Sequence, residues 1–322
     1  DHSDLRRHEP GTADDYFRLY PAVIVLSTHT ELAISVSQSI SRQFPPRDAF
    51  FIAHTPPMRY NNIKPIHAIY AKEDIMITIG NAALDNGMPK ICVPIVGRTV
   101  EELIQECRYL QDKPYDVVEL RIDFLADTTL PAVGEALAAV RKELPDSALL
   151  FTFRTKEEGG ETAVPEAYYF ELIQYAVASG KVDAVDVEYF RNRDSICQTL
   201  AVAKEHGVTV VMSNHDFEKT PSFDEITGRL IGMKQLGADV AKLACMPNSA
   251  KDVLTLLSAT EAVKAQYPDE PIITMSMGKL GVISRISGEL FGSALTFGSA
   301  KKASAPGQLE VTALQQILQI LH

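Results

Sequence analysis

No apolar stretch of the chain approaches the ~18 residues that a membrane span needs. Runs such as Ala22-Val-Ile-Val-Leu26 stop far short. Positive charge is in deficit: 31 Lys and Arg stand against 42 Asp and Glu, a net charge of −11 with a pI near 5.2. Nucleic acid and anionic membrane surfaces call for the opposite balance, so neither is expected as a partner; a small anion held by a few local arginines remains compatible. The opening Asp1-His2-Ser3-Asp4 lacks a signal-peptide pattern, and a cytoplasmic protein is expected. Cysteine is scarce, and Cys92, Cys107, Cys197 and Cys245 form no C-x-x-C pair. They read as reduced, buried hydrophobes rather than zinc ligands. G-x-G-x-x-G after a strand, a Walker loop, H-E-x-x-H and G-x-S-x-G are all missing. The histidines are too scattered for a metal cluster, so neither metal nor cofactor is expected. What the chain does have is 46% apolar and 23% charged residues, enough to bury a substantial core.

Charge also divides the 322 residues. Residues 1–73 carry eight acidic and eight basic side chains, so the whole net charge falls in 74–322. The first segment has one apolar run (Pro21–Ser27), a polar stretch with helical spacing (Glu31–Ser41) and Pro-Pro turns at 45–46 and 56–57. About 73 residues is marginal for an independent core, so this segment reads as an N-terminal appendage, partly folded or disordered. From Lys90 onward the pattern is regular. Short β-branched or apolar runs start near residues 90, 117, 149, 184, 209, 240, 271 and 295, each interval fitting one strand plus one helix. Thr99-Val-Glu-Glu102 and Ser222-Phe-Asp-Glu225 have the capping-box form, Asp194 opens a helix, and Gly207 and Gly237 stand where helices stop. Eight such units predict an α/β fold, a closed (β/α)₈ TIM barrel over 74–322, although an open doubly wound sheet would show the same alternation. Residues 74–80 alternate like a strand and are expected to cap the bottom of the barrel.

In a barrel the reacting groups sit at the carboxyl ends of the strands. The polar residues there are Glu119, Arg121 and Asp123; Arg154 followed by Glu157-Glu158-Gly159-Gly160; Glu188; Ser213 to Asp216; Lys242; Ser276; Arg285; and Ser304 to Gln308. Lys242, in Val-Ala-Lys-Leu-Ala, is the only polar side chain of its strand. Burial disfavours an ammonium and makes a neutral, nucleophilic amine accessible; the plainer alternative is a lysine paired with a buried carboxylate. His215 directly follows an apolar strand and suits proton transfer near neutral pH, or merely caps the next helix. Glu158 precedes a Gly-Gly turn whose flexibility could bring the carboxylate inward to orient His215, or it belongs to a solvated charge run. Arg285 and Arg121 suit a carboxylate ligand, or form salt bridges with Glu119 or Asp123. Ser304 and Gln308 flank a turn able to touch a ligand.

These stretches together are recognisable. Glu-Leu-Arg-Ile-Asp (119–123), Phe-Thr-Phe-Arg (151–154) with Glu158-Gly-Gly, Met-Ser-Asn-His-Asp-Phe (212–217), Ala-Lys-Leu-Ala (241–244), Ile-Thr-Met-Ser-Met-Gly (273–278), Gly-Val-Ile-Ser-Arg (281–285) and Ala-Ser-Ala-Pro-Gly-Gln (303–308) resemble, in order, the type I 3-dehydroquinate dehydratases. The resemblance implies a lyase that converts 3-dehydroquinate to 3-dehydroshikimate in the shikimate pathway, through a covalent imine and without metal. It implies Lys242 as the imine-forming amine, His215 as the acid and base, and Glu158 as its positioning partner. It further implies Arg285 on the substrate carboxylate with Ser304 and Gln308 closing over it, Glu119, Arg121 and Arg154 around the ring hydroxyls, and a homodimer. Residues 1–73 match nothing in bacterial members. A metabolite-sensing regulator built on the same barrel and an imine-forming aldolase are the alternatives.

Overall fold

The computed structural model describes residues 76–301 and 304–322. The expectation for residues 1–73 lies outside the described residues. Two short strands, β1 (Thr78–Ile79) and β2 (Ala82–Ala83), pair antiparallel as a hairpin. Then come β3 (Lys90–Ile95), β4 (Val117–Arg121), β5 (Ala148–Thr152), β6 (Ala184–Glu188), β7 (Thr209–Asp216), β8 (Val240–Cys245), β9 (Ile272–Ser276) and β10 (Leu295–Ser299), and a two-residue β11 (Leu309–Glu310). Every one of the eight expected strands is present within a residue of its expected start. They pair in parallel in the order β10-β3-β4-β5-β6-β7-β8-β9, with β11 on the outer side of β10.

Closure comes from one place. Ala294 N–H donates to Ile272 O at 2.9 Å, and Ile272 and Ser293 form a single parallel bridge between β9 and the approach to β10. Above it a side chain takes over from the ladder: Thr274 N–H donates to the Ser293 hydroxyl at 3.0 Å. The sheet is therefore a closed barrel with one loosely laced seam, a feature that strand spacing does not carry.

Strand period two splits the core. Outward residues such as Val93, Val118, Phe151, Val185, Met212 and Leu243 pack against the helices in one large apolar cluster. Inward residues Cys92, Val117, Ala148, Ala184, Val211 and Val240 form a second cluster with Ile79 and Ala82 of the hairpin. The hairpin thus seals the bottom; of the expected strand over 74–80, Thr78–Ile79 is extended and residues 74 and 75 lie outside the described residues. Its turn depends on Gly80 at φ +54°, where a Cβ would also press on the Ala148 backbone at 3.2 Å.

The helix starts refine the sequence reading. Ser222 and Glu225 form a full capping box at the head of Phe223–Leu236, and Gly237 ends that helix in the left-handed region. At Thr99 only half a box forms: Thr99 Oγ1 accepts from Glu102 N, but the Glu102 carboxylate turns to Arg98 N–H at 2.7 Å. The helix Arg193–Glu205 is capped by Asn192 rather than opened by Asp194, because the Asn192 side chain accepts from Ser195 N–H. Cys92, Cys107 and Cys245 are buried thiols; Cys197 is exposed, contrary to expectation, because it lies on the solvent side of a helix whose Ile196 and Thr199 face inward.

Candidate active site

Above the apolar floor, the inward positions of β4 to β8 become polar or charged. Glu119 and Arg121, Thr152 and Arg154, Asp186 and Glu188, Ser213 and His215, and Lys242 follow one another around the wall. Registry puts Ser213 level with Lys242 and with Glu188. Lys242 is 3% exposed. Its Nζ donates to Asp186 Oδ2 at 3.1 Å, lies 3.9 Å from Glu119 Oε1, and sits 4.6 Å from the centroid of the Phe297 ring. The lone amine expected from the strand sequence is thus ion-paired. Its partner, Asp186, was hidden in the run Ala-Val-Asp-Val-Glu; only its inward phase with Glu188 could have flagged it.

Asp186 joins Lys242 to a second cation. Arg154 Nη2 lies 2.8 Å from Asp186 Oδ1, and Arg154 Nη1 donates to Glu188 Oε1 and Ser213 Oγ, both at 3.0 Å. Ser213 Oγ in turn donates to Asp186 Oδ1 at 2.6 Å. Burial acts to raise Asp186, but Arg154 and Lys242 outweigh it and hold the carboxyl below its ordinary range. Glu188 accepts also from Thr155 and Arg191, so each buried charge here has partners.

Glu158 accepts three bonds: from Asn214 Nδ2 at 3.2 Å, from His215 N–H at 3.0 Å, and at 3.0 Å it meets His215 Nδ1. Backbone and ring of His215 are gripped by one carboxylate, which leaves Nε2 toward the cavity that His215 lines. Burial, then the charges of Arg154, Lys242 and Arg121, lower His215 well below the ordinary imidazole value, so the ring is neutral near pH 7. Burial and the Glu188 charge push Glu158 up to about 8, against the pull of Arg154 and Asn214.

The Gly-Gly turn after Glu158 works by fit rather than flexibility. Gly159 adopts φ +84°, and a Cβ there would sit 2.3 Å from the Phe217 ring; one on Gly160 would lie 1.9 Å from the Arg154 carbonyl. Only glycines let the turn close so tightly that Glu158 points inward.

The remaining expected residues separate. Glu119 accepts from Thr152 Oγ1 at 2.9 Å and faces the cavity. Arg121 also lines it, but donates bidentately to Asp123 at 2.8 Å, the salt bridge held open as its alternative. Ser304 and Gln308 line the cavity and bond to each other, the Gln308 carbonyl accepting from Ser304 N–H at 2.9 Å and its amide donating to Ser304 Oγ at 3.1 Å. Between them Gly307 packs on Gly278, where a Cβ would stand 2.4 Å from the Gly278 oxygen. Arg285 is not on the cavity wall. It lies behind it, 1% exposed, donating to Pro306 O at 3.0 Å and to Met275 Sδ at 3.6 Å. Its Nε has no partner, it has no carboxylate partner among the described residues, and burial draws its guanidinium down to about 10. Among the described residues no group of His, Cys, Asp and Glu could hold a metal ion, and no helix is long and apolar enough to cross a membrane.

The family model described as type I 3-dehydroquinase matches residues 91–322. A 3-dehydroquinate dehydratase from Listeria welshimeri is 51% identical over 247 residues, covering 76% of this chain and 98% of the relative; one from Salmonella typhimurium is 48% identical over the same shares. The solved type I 3-dehydroquinate dehydratase from Clostridium difficile, carrying covalently modified comenic acid, is 45% identical with a TM-score of 0.75, covering 77% of this chain and 98% of that one. With the barrel, the ion-paired inward lysine and the histidine–glutamate pair at its mouth, these likenesses establish that the chain belongs to the type I 3-dehydroquinase family.

Proposed function

We propose that the barrel removes water from 3-dehydroquinate to give 3-dehydroshikimate, the third step of the shikimate pathway, and that it does so through an imine on Lys242. The observation that carries this reading is a buried amine and a neutral, carboxylate-oriented imidazole opening onto one cavity. After losing a proton, Lys242 adds its lone pair to the ring ketone. The ketone oxygen leaves as water, and the product is a protonated imine. His215 Nε2 then takes the proton from the neighbouring carbon, and the C–H electrons flow into the C=N⁺ bond to give an enamine. The enamine electrons expel the hydroxyl, which leaves as water with the proton returned from His215. Water hydrolyses the new imine and frees Lys242. Net loss is one water.

Glu158 fixes the imidazole so that Nε2, not Nδ1, meets the substrate. Arg154 is saturated by Asp186 and Glu188, so its part is to order the acids around Lys242, while Glu119 and Arg121 face the ring hydroxyls. Arg285 is the carboxylate anchor: a guanidinium without a counter-ion lacks what a substrate anion brings. It reaches the substrate with Ser304 and Gln308 by a small rearrangement of the Pro306 segment and Met275. Residues 74–322 form the catalytic domain, and the 247-residue match to full-length relatives supports that boundary. A chain begun at Asp74 should retain activity within a few-fold. We also take the enzyme as a cytoplasmic homodimer, to be checked by light scattering and cell fractionation.

The deciding experiment follows the conjugated enone of the product by absorbance with 3-dehydroquinate as substrate. In parallel, substrate plus borohydride should inactivate the enzyme and add one reduced ligand at Lys242. No enone, or labelling at Lys279 or Lys301 instead, removes this mechanism.

A further inference from the structure

Lys242 Nζ has two unlike neighbours. The Asp186 carboxylate accepts from it at 3.1 Å, and the ring of Phe297 lies with its centroid 4.6 Å away, within the range where a cation is drawn to a ring face. Phe297 is 4% exposed, faces the interior and lines the same cavity. It stands on β10, with β9 between it and the lysine strand, so the ring meets the nitrogen across the interior rather than along a ladder.

Resting on the imine reading, we propose that Phe297 is a positioning residue that holds the cationic nitrogen of Lys242 by its ring face, and keeps the imine in the protonated form that borohydride reduces. An ammonium has three N–H donors, whereas a protonated imine nitrogen keeps one. Forming the imine therefore removes two of the three bonds through which the surrounding carboxylates can grip the nitrogen. Attraction to a ring face follows charge and not the number of N–H bonds, so it survives the change. Asp186 retains the single N–H, and Phe297 retains the charge. The ring favours the protonated imine over its uncharged forms: the ammonium it replaces carries the same charge, whereas the neutral amine, the neutral imine and the enamine left by proton removal from the neighbouring carbon carry none.

The test replaces Phe297 in the full-length chain by phenylalanine bearing one, two and three ring fluorines, which drain the ring face of negative potential while nearly preserving shape. Phe297→Leu removes the face altogether. The readouts are the rate of borohydride trapping at saturating 3-dehydroquinate, the site of the label, and the thermal midpoint. Trapping should slow stepwise with fluorine number, by roughly 2- to 10-fold at three fluorines, with the midpoint almost unchanged, and Phe297→Leu should slow it at least as much. A flat fluorine series with the label still on Lys242 overturns the role of Phe297 and leaves the imine reading intact. Failure of the unsubstituted enzyme to carry a label on Lys242 overturns both.

Discussion

The cavity has two unlike halves. The wall built by β4 to β8 is a lattice of charges, in which Glu119, Arg154, Asp186, Glu188 and Lys242 are each bonded or paired to another side chain. The wall built by β9 and β10 offers Met275, Met277 and Phe297, with the Ser304–Gln308 segment above and Arg285 behind. The charged half hangs on continuous ladders; the apolar half includes the seam where Ser293 stands in for backbone pairing. The contrast divides the labour. On the proposed reading, groups that carry out proton and bond changes are cross-linked into place, whereas groups that admit and enclose a ligand sit on the looser side.

The comparison breaks most sharply at Lys242. Lys242→Ala should abolish enone production and borohydride labelling together, and Lys242→Arg should fail as well, because a guanidinium stays protonated and forms no imine. Next comes His215→Ala, which should lower kcat by about 10²–10⁴-fold while Lys242 can still be trapped. The same pair sets the pH profile. Below about 8 the Glu158 carboxyl holds a proton beside His215 Nδ1, 3.0 Å away, and cannot draw the Nδ1–H that leaves Nε2 free as the base, so the rate should climb as pH rises toward that value. In Glu158→Gln the rising limb should move toward acid, since His215 alone lies well below its ordinary range. A profile unchanged by Glu158→Gln would show that the carboxylate does not govern the imidazole.

On the looser half the expected effects are smaller and of another kind. Arg285→Ala should raise KM by roughly 10- to 100-fold through loss of a charge-assisted contact, with kcat less affected. A fall in kcat alone would mean that Arg285 does not anchor the substrate. Ser293→Ala should change KM little, but it leaves Thr274 N–H buried without its acceptor, at a cost of about 1–3 kcal/mol. Calorimetry should register a drop of several degrees in thermal midpoint. An unchanged midpoint would show that the seam does not need its serine.

Much of this was legible in the residues. Strand starts followed from runs of β-branched and apolar residues, since parallel strands buried on both faces are written almost continuously apolar. Within such runs a Lys242 or a His215 stands out because its burial is expensive. Asp186 did not stand out, although it binds Lys242 more closely than Glu119 does, because its meaning lies in two cations that arrive from other strands. Gly159 and Gly160 were read as freedom, and proved to be room for Phe217 and for the Arg154 carbonyl. Arg285 was legible as a candidate for an anion ligand, but its seat behind Met275 and Pro306 was not.

The sequence by itself determined the eight-fold strand–helix alternation, the inward phase of the reactive side chains and the family, because local patterning and ordered motifs are properties of the chain alone. Tertiary structure alone decided the closure through Ile272, Ser293 and Ala294, the pairing of Lys242 with Asp186, and the ring of Phe297 beside the same nitrogen. These are contacts between residues far apart in sequence, and their strength depends on distance and burial, which exist only once the barrel has closed.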